Sequence, residues 1–189
     1  HMRGALYYVT SRAMECALLF KDDDDYETYL ELLKQGQAQY GYKLFAYLLL
    51  PDHLHLCVEL TNSATISTIM HAVNSRYTKA FIKRHGHTAH VFQDRFKATV
   101  LEKAPSLLRV TGYLHTHPLR SGLVEDLREY PWSSYHAYLA PPAFGVRPQG
   151  GSAPGPLRGE VQEVSAQLAG ERPGCDRLGR ARRRDARLR

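Results

Sequence analysis

The sequence has no long apolar run and no cysteine pattern of a kind that cross-links a chain or binds metal. No segment of the 189 residues approaches the length of a membrane-spanning helix, and no cleavable signal precedes the first apolar segment. The three cysteines are widely scattered and form neither a disulfide framework nor a CxxC pair. We therefore expect a soluble, cytoplasmic protein without a membrane partner.

Basic charge is concentrated at the end of the chain. Residues 157–189 hold nine arginines, no lysine and five acids, which leaves the rest of the chain a net charge of only +2. The preceding segment, 141–159, is rich in proline, glycine and alanine and is typical of a linker. We predict one folded domain over 3–139, after a cloning remnant at His1-Met2, and disorder over 140–189. A basic chain favours polyanions, but charge alone does not separate nucleic-acid binding from solubility.

Apolar periodicity predicts the element order β-α-β-β-α-β-α. Strands are expected over residues 6–10, 42–50, 51–60 and 91–101, and helices after the aspartate run at 22–25, over 64–85 and over 105–117. The dipeptide Pro51-Asp52 indicates a tight connection, so the second and third strands should form a hairpin. We interpret the aspartate run as a helix cap in preference to a metal site. In the last strand the residues expected to supply core are Phe92, Phe96, Ala98 and Val100.

The stretch PDHLHLCVEL, residues 51–60, alternates strictly as a strand. One of its faces is a core face, made of Leu54, Leu56, Val58 and Leu60. The other face begins with His53 and His55, whose positions are roughly 6–7 Å apart along a rigid support. Two imidazoles at that spacing can converge on one metal ion. The alternative is two sheet histidines whose hydrogen bonds are satisfied within the protein.

A second unusual segment, APSLLRVTGYLHTHPLRSGLV, spans residues 104–124. Pro105 suits the first turn of a helix and Pro118 should end one. The predicted buried stripe consists of Leu107, Val110, Thr111 and Leu114. Tyr113 and His117 fall on a different face, four residues apart, with roughly 5–6 Å between their Cβ atoms. A tyrosine packed in the core beside a surface histidine would give the same pattern.

The chain resembles the single-tyrosine HUH transposases, in particular the REP-associated tyrosine transposases, in several segments and in their order along the sequence. The matching segments are YYVTSR, DDDDYETYLELL, LLLPDHLHLCVEL, VFQDRFKATVLE, YLHTHPLRSGLV and YPWSSYHAYL, which cover roughly Leu6–Leu139. His-hydrophobe-His alone is a weak pattern, whereas PDHLHL followed by YLHTHPLRSGLV and WSSY is specific. The resemblance implies an α/β (α+β) fold. In this ferredoxin-like or RRM-like sandwich, an antiparallel sheet carries helices on one face and the HUH site on the other.

The resemblance also implies a chemistry, which is metal-assisted cleavage of single-stranded DNA by Tyr113. The products would be a 5′-phosphotyrosine link and a free 3′-hydroxyl that can later rejoin strands. The implied ligands of a divalent metal, Mg²⁺ or Mn²⁺, are His53, His55 and the residue four positions after the tyrosine, His117. Relatives commonly have asparagine at that last position, and a third imidazole shifts the preference towards Mn²⁺. Tyr8 is a second departure, because relatives often have histidine there; no role is assigned to it.

The implied DNA partner is a hairpin of the REP type with a flanking single-stranded sequence. Side chains expected to contact the DNA backbone are basic and lie on exposed faces or strand ends; they are Arg12, Arg76, Lys79, Lys83, Arg95, Lys97 and Arg120, with Arg109 and the arginine-rich tail as further candidates. Relatives work as monomers or as homodimers with shared sites, so both states stay open.

Three hypotheses follow from different classes of protein. The first is a transposase that cleaves and rejoins DNA, and the second is a domesticated hairpin-binding protein on the same fold that does not cleave. The third is a histidine-rich metal hydrolase unrelated to DNA. A covalent protein–DNA adduct supports the first, binding without an adduct favours the second, and a lack of DNA affinity would remove both.

Overall fold

A four-stranded antiparallel sheet with the strand order β2-β3-β1-β4 organises the chain. The computed structural model describes residues 4–86, 90–102 and 105–139. Its elements are β1 (Leu6–Arg12), α1 (Asp23–Tyr40), β2 (Tyr42–Leu49), β3 (His53–Leu60), α2 (Ile66–His85), β4 (Lys97–Leu101), α3 (Pro105–Arg120), a 3-10 turn (Leu127–Glu129) and α4 (Tyr135–Leu139). The predicted element order and the ferredoxin-like α/β fold are confirmed. The predicted linker and tail at 140–189 and the remnant His1-Met2 lie outside the described residues.

The two faces of the central strand β3 differ as the alternation predicts. Its leucine and valine side chains pack in the main core beneath α1 and α2, together with residues such as Tyr29 and Met70. Cys57, on the opposite face, belongs to a smaller core with Val110 and Leu114 of α3. The hairpin between β2 and β3 is also confirmed. Consequently α1 and α2 lie behind the sheet, while α3 crosses the histidine face.

The aspartate run begins α1 and ties it to the end of α2. Asp22 caps the helix by accepting a hydrogen bond from the backbone N–H of Asp25, as the cap interpretation predicts. Asp25 is buried and pairs with Arg84 and with His85 at 2.6 and 2.9 Å. Although Asp22, Asp25 and His85 are close enough to share an ion, the guanidinium of Arg84 already contacts these carboxylates. A fixed cation at that position disfavours a second one.

The prediction for the last strand is wrong over its first half and in its core face. Residues 91–96 form a loop, and β4 starts only at Lys97. Phe92 and Phe96 do pack against the core, but Ala98 and Val100 are exposed. Because β4 is an edge strand paired only with β1, its side chains lie at the margin of the sheet.

Helix α3 continues beyond its predicted end, through Pro118 to Arg120. Proline removes one backbone donor, which costs less in the last turn of a helix than in its interior. Pro118 is buried, and the next turn is closed by the Ser121 N–H, which donates to the His117 carbonyl. Packing of the helix end therefore outweighs the missing bond. Of the described helices, none is long and apolar enough to cross a membrane.

Candidate metal and tyrosine site

The face of β3 that carries the histidines is turned towards α3. His53 and His55 project from the same side of the strand, and their ring centroids are 4.9 Å apart. His55 is buried and His53 is partly accessible. A strand in the middle of a sheet holds both side chains on a rigid backbone, so their separation is fixed by the fold.

Helix α3 brings two further side chains to the same place. The ring of His117 lies 5.4 Å from those of both His53 and His55. One turn earlier, the Tyr113 ring stacks on His117 at 5.5 Å and meets the edge of His55 at 6.3 Å. The spacing of four residues puts tyrosine and histidine on one helical face, as the sequence predicts. All four side chains belong to a single chain.

The donor atoms of the three histidines fit a metal ion. One ring nitrogen from each of His53, His55 and His117 lies within 4.8 Å of the others. His55 Nε2 and His117 Nδ1 are buried and find no hydrogen-bond partner within the described part of the chain. Buried polar atoms normally form a hydrogen bond or bind an ion. Two unbonded nitrogens on neighbouring rings therefore fit a ligand that both can bind. Three imidazoles with an open side are a competent set for a divalent transition metal.

The remaining nitrogens of the strand histidines have partners that orient the rings. His53 Nδ1 lies 2.7 Å from Asp52 Oδ1. His55 Nδ1 lies 2.8 Å from the Tyr8 hydroxyl, whose ring stacks on the imidazole. Ligating histidines characteristically bond their second nitrogen in this way, because the bond fixes the tautomer and the ring plane. The sequence assigned no role to Tyr8 and gave Asp52 only a place in the turn before β3; its position directly before the first histidine was the one available signal for the contact.

The surroundings lower the pKa of His55 and His117 and so keep these two rings neutral, which is their ligating form. Burial lowers the pKa of His55 well below its ordinary value, and the nearby charges of His53, His117 and Arg12 lower it further. Burial and the charges of His53 and Arg120 lower the pKa of His117 to about 4. Neutral imidazole carries the lone pair that a metal needs, so both rings are ready to bind at neutral pH.

Cys57, the next residue on the same face, is excluded as a ligand. It is fully buried in the core beneath α3, and burial raises the pKa of its thiol to about 12. The thiolate is the form that binds metal, and here it does not form near neutral pH.

Four of the seven predicted DNA-contacting side chains lie around the site. Arg12 is paired in register with His53, and Lys97 with Thr10, the β1 neighbour of His55. Arg12, Arg95 and Lys97 line a cleft of about 300 Å³ that His55 also borders. Arg120 lies over the Tyr113 ring, with 5.2 Å from its Cζ atom to the ring centroid.

The other three, on α2, are not brought to this cleft. Arg76 donates a hydrogen bond to Gln39 of α1, and Lys79 and Lys83 are exposed on the helix layer behind the sheet. A role for these three in DNA binding stays a prediction. Arg109 lies on α3, at its exposed surface.

A buried histidine of α3 has a structural role that the sequence did not indicate. His115 Nε2 and the Ser134 hydroxyl share a hydrogen bond of 2.8 Å, and Ser134 also accepts from the Tyr47 N–H of β2. Burial lowers the pKa of His115 to about 4. In the same segment Trp132 stacks on Tyr26 of α1. Through Ser134, the segment before α4 therefore links α3 to β2 of the sheet.

Comparison with known proteins identifies the family. The family described as "Transposase IS200 like" matches residues 9–117, more than half of the chain, from β1 to His117. The chain belongs to the IS200-like transposase family. The match includes both strand histidines, the tyrosine and the third histidine.

Two proteins described as REP-associated tyrosine transposases are similar to this IS200-like transposase. A protein of Haemophilus influenzae that carries the name of a REP-associated tyrosine transposase is 24% identical over 160 residues, which span 77% of this chain and 90% of the relative. The solved structure of a REP-associated tyrosine transposase bound to a REP hairpin shares the fold, with a TM-score of 0.65 and 16% identity. The structural alignment covers 83% of this chain and 94% of the solved chain. The resemblance stated from the sequence motifs is confirmed.

Proposed function

We propose that this transposase cleaves single-stranded DNA beside a hairpin through a covalent link to Tyr113. The observation that carries the proposal is the convergence of three histidines and one tyrosine within a single chain. The third histidine departs from the asparagine common in relatives, yet its ring nitrogen lies within the same donor triangle.

Tyr113 is the nucleophile in this proposal. Its oxygen forms a bond to the scissile phosphorus while the bond from phosphorus to the 3′-oxygen breaks. The tyrosine hydroxyl loses its proton in this step and the departing 3′-oxygen gains one, so no proton is gained or lost overall. The phosphodiester is exchanged without being hydrolysed, so the free 3′-hydroxyl can attack the phosphotyrosine and rejoin strands. A tyrosine hydroxyl has an ordinary pKa of about 10 and is a weak nucleophile at neutral pH, so it needs help from its surroundings.

His53, His55 and His117 would hold a divalent cation, Mn²⁺ or Mg²⁺, which supplies charge stabilisation at a non-bridging phosphate oxygen. The protein's own cations add to this. Arg120 over the Tyr113 ring and Arg12 opposite His53 present positive charge on two sides of the site. Positioned cations of this kind stabilise the charge that develops on a phosphoryl group in transfer.

The proposed DNA partner is a hairpin with a single-stranded flank, and the proposed working unit is one chain. A related structure is of a protein bound to a REP hairpin, which favours the same class of ligand here. The tyrosine and the histidines of one chain are already adjacent, so a second chain is not needed to complete the site.

An adduct assay tests the proposal. The full-length protein is incubated with Mn²⁺ and a labelled hairpin oligonucleotide whose single-stranded flanks are random in sequence, and products are separated under denaturing conditions. We expect a labelled protein band with the wild type and none with Tyr113→Phe, whose ring keeps the stacking on His117. His53→Ala combined with His55→Ala should also abolish the band. DNA binding without an adduct would favour the non-cleaving hairpin-binding protein instead.

A further inference from the structure

The cleft beside His55 holds a carboxylate that phosphate binding does not explain. Besides its three cations, the cleft is lined by Gln93 and Asp94, both in the loop before β4. Asp94 is exposed and, within the described residues, forms no ion pair or hydrogen bond with Arg12, Arg95 or any other side chain. A negative charge at that position repels phosphate. The acidic side chain is therefore suited to a part of the ligand that is not phosphate.

We propose that this cleft binds a single unpaired DNA base that carries an exocyclic amino group, with Asp94 as the acceptor. The inference rests on the proposed function and adds to it a residue that determines specificity. A volume of about 300 Å³ is at the lower end of the range for small-ligand pockets, roughly 300–1,000 Å³, which suits one base. The cations at its rim contact the phosphates on either side of that base.

The chemistry of the bases decides which of them fit. Adenine, cytosine and guanine each present an amino group that donates to a carboxylate, and a carboxylate is a known acceptor for the cytosine amine. Thymine presents one ring N–H between two carbonyl oxygens, both of which repel the carboxylate. Single-stranded nucleic acids are read in this way, along base edges that pairing would otherwise hide. The cleft should therefore discriminate against thymine.

The position of the cleft gives this discrimination a consequence for the reaction. His55 borders both the cleft and the donor triangle of the three histidines. A base held by Asp94 is consequently next to the phosphate that Tyr113 attacks, and it sets the register of the strand at the site. Gln93, whose amide offers both a donor and an acceptor, lies beside Asp94 as a second polar contact.

Equilibrium binding measures the discrimination directly. The full-length protein carries Tyr113→Phe throughout, so that no probe is cut. The probes are four fluorescein-labelled strands of about ten thymidines with dA, dC, dG or dT at one central position, a length within the usual site size for single strands. We expect the three amine-bearing probes to bind about 5- to 100-fold more tightly than the all-thymidine probe, the range for one good base contact.

Three substitutions separate base recognition from a simple effect of charge. Asp94→Ala should remove the preference, and Asp94→Asn should improve binding of the thymidine probe, because an amide N–H can donate to a thymine carbonyl. Asp23→Asn, which removes the same charge from an exposed position on α1, should leave all four affinities unchanged. Lys97→Ala should weaken the binding of all four probes about equally.

Two results would overturn the inference. One is equal binding of the four probes by the parent protein. The other is a uniform gain of affinity in Asp94→Ala, which would mean that the carboxylate acts only through its charge. The adduct assay stays independent of both: an adduct without base preference refutes only the base contact. A base preference without an adduct refutes cleavage and leaves the cleft as a nucleotide-binding site.

Discussion

At the scale of single residues, each strand histidine has its Nδ1 beside an orienting partner, which leaves Nε2 for the proposed metal. The positions of His53 and His55 could be predicted from the sequence because strand alternation has a fixed period. The partner of His55 could not, because the contact with Tyr8 depends on the pairing of β1 with β3 and on a side chain that reaches across the register. A tyrosine in β1 looks like any other aromatic strand residue.

Tyr8→Phe tests the orienting contact. Removing the hydroxyl frees the His55 ring to rotate, and loss of such a partner typically lowers metal affinity about 10- to 100-fold. Titration calorimetry with Mn²⁺ should show this loss without any DNA present. Tyr7→Phe is the matched control, since Tyr7 points to the opposite face of β1 and packs against the main core. Equal affinities for the wild type and Tyr8→Phe would contradict the orienting role.

His115 makes stability depend on pH. Its pKa is lowered from 6.5 to about 4 by burial, so the unfolded chain binds more protons between these values. Stability should be complete above pH 6.5 and fall as the pH drops towards 4. The contribution of this one residue is on the order of 3 kcal/mol. Urea unfolding at a series of pH values should show a shallower decline in His115→Gln than in the wild type; the same decline in both would be inconsistent with a neutral buried ring.

At the scale of elements, the sequence predicted the order and type of the helices and strands. It misplaced two boundaries, the end of α3 and the start of β4. Proline normally ends a helix, but Pro118 is buried in the last turn of α3 and the packing there decides the outcome. The apolar run at 91–101 alternates like a strand, yet its first half crosses the end of β1 as a loop, which brings Asp94 into the cleft. Both features depend on tertiary contacts that no local pattern encodes.

The junction of α1 and α2 depends on a buried carboxylate. Asp25→Ala leaves His85 and Arg84 without their shared partner, so we expect the free energy of unfolding to fall by about 2–4 kcal/mol. Chemical denaturation measures the change, with Asp23→Ala as the neighbouring control. A loss of stability no larger than that of the control would contradict a stabilising role for the buried carboxylate.

At the scale of the whole molecule, the fold brings the candidate site residues of one chain together. β3 supplies two histidines, α3 supplies Tyr113 and His117, and the end of β1 supplies Arg12. The sequence predicted this set through its motifs, but adjacency within one chain follows only from α3 crossing the histidine face of its own sheet. That crossing predicts a site that works without exchange of helices between chains.

Mixing two inactive variants tests whether sites are shared. Tyr113→Phe has intact histidines, and the His53→Ala, His55→Ala double variant has an intact tyrosine. If each chain uses its own residues, the mixture forms no adduct on the hairpin probe with Mn²⁺. Restored adduct, up to a sizeable fraction of the wild-type yield, would show that chains exchange their tyrosine helices.

Mapping the covalent link by mass spectrometry tests the central claim most directly. Trypsin cleaves after Arg109 and Arg120, so Tyr113 lies in the peptide VTGYLHTHPLR, which contains a single tyrosine. After nuclease digestion of the adduct formed with Mn²⁺, that peptide should carry the mass of a nucleotide phosphate on Tyr113. A nucleotide on any other residue, or a cleaved strand with no covalent link at all, would contradict the assignment of Tyr113 as the nucleophile.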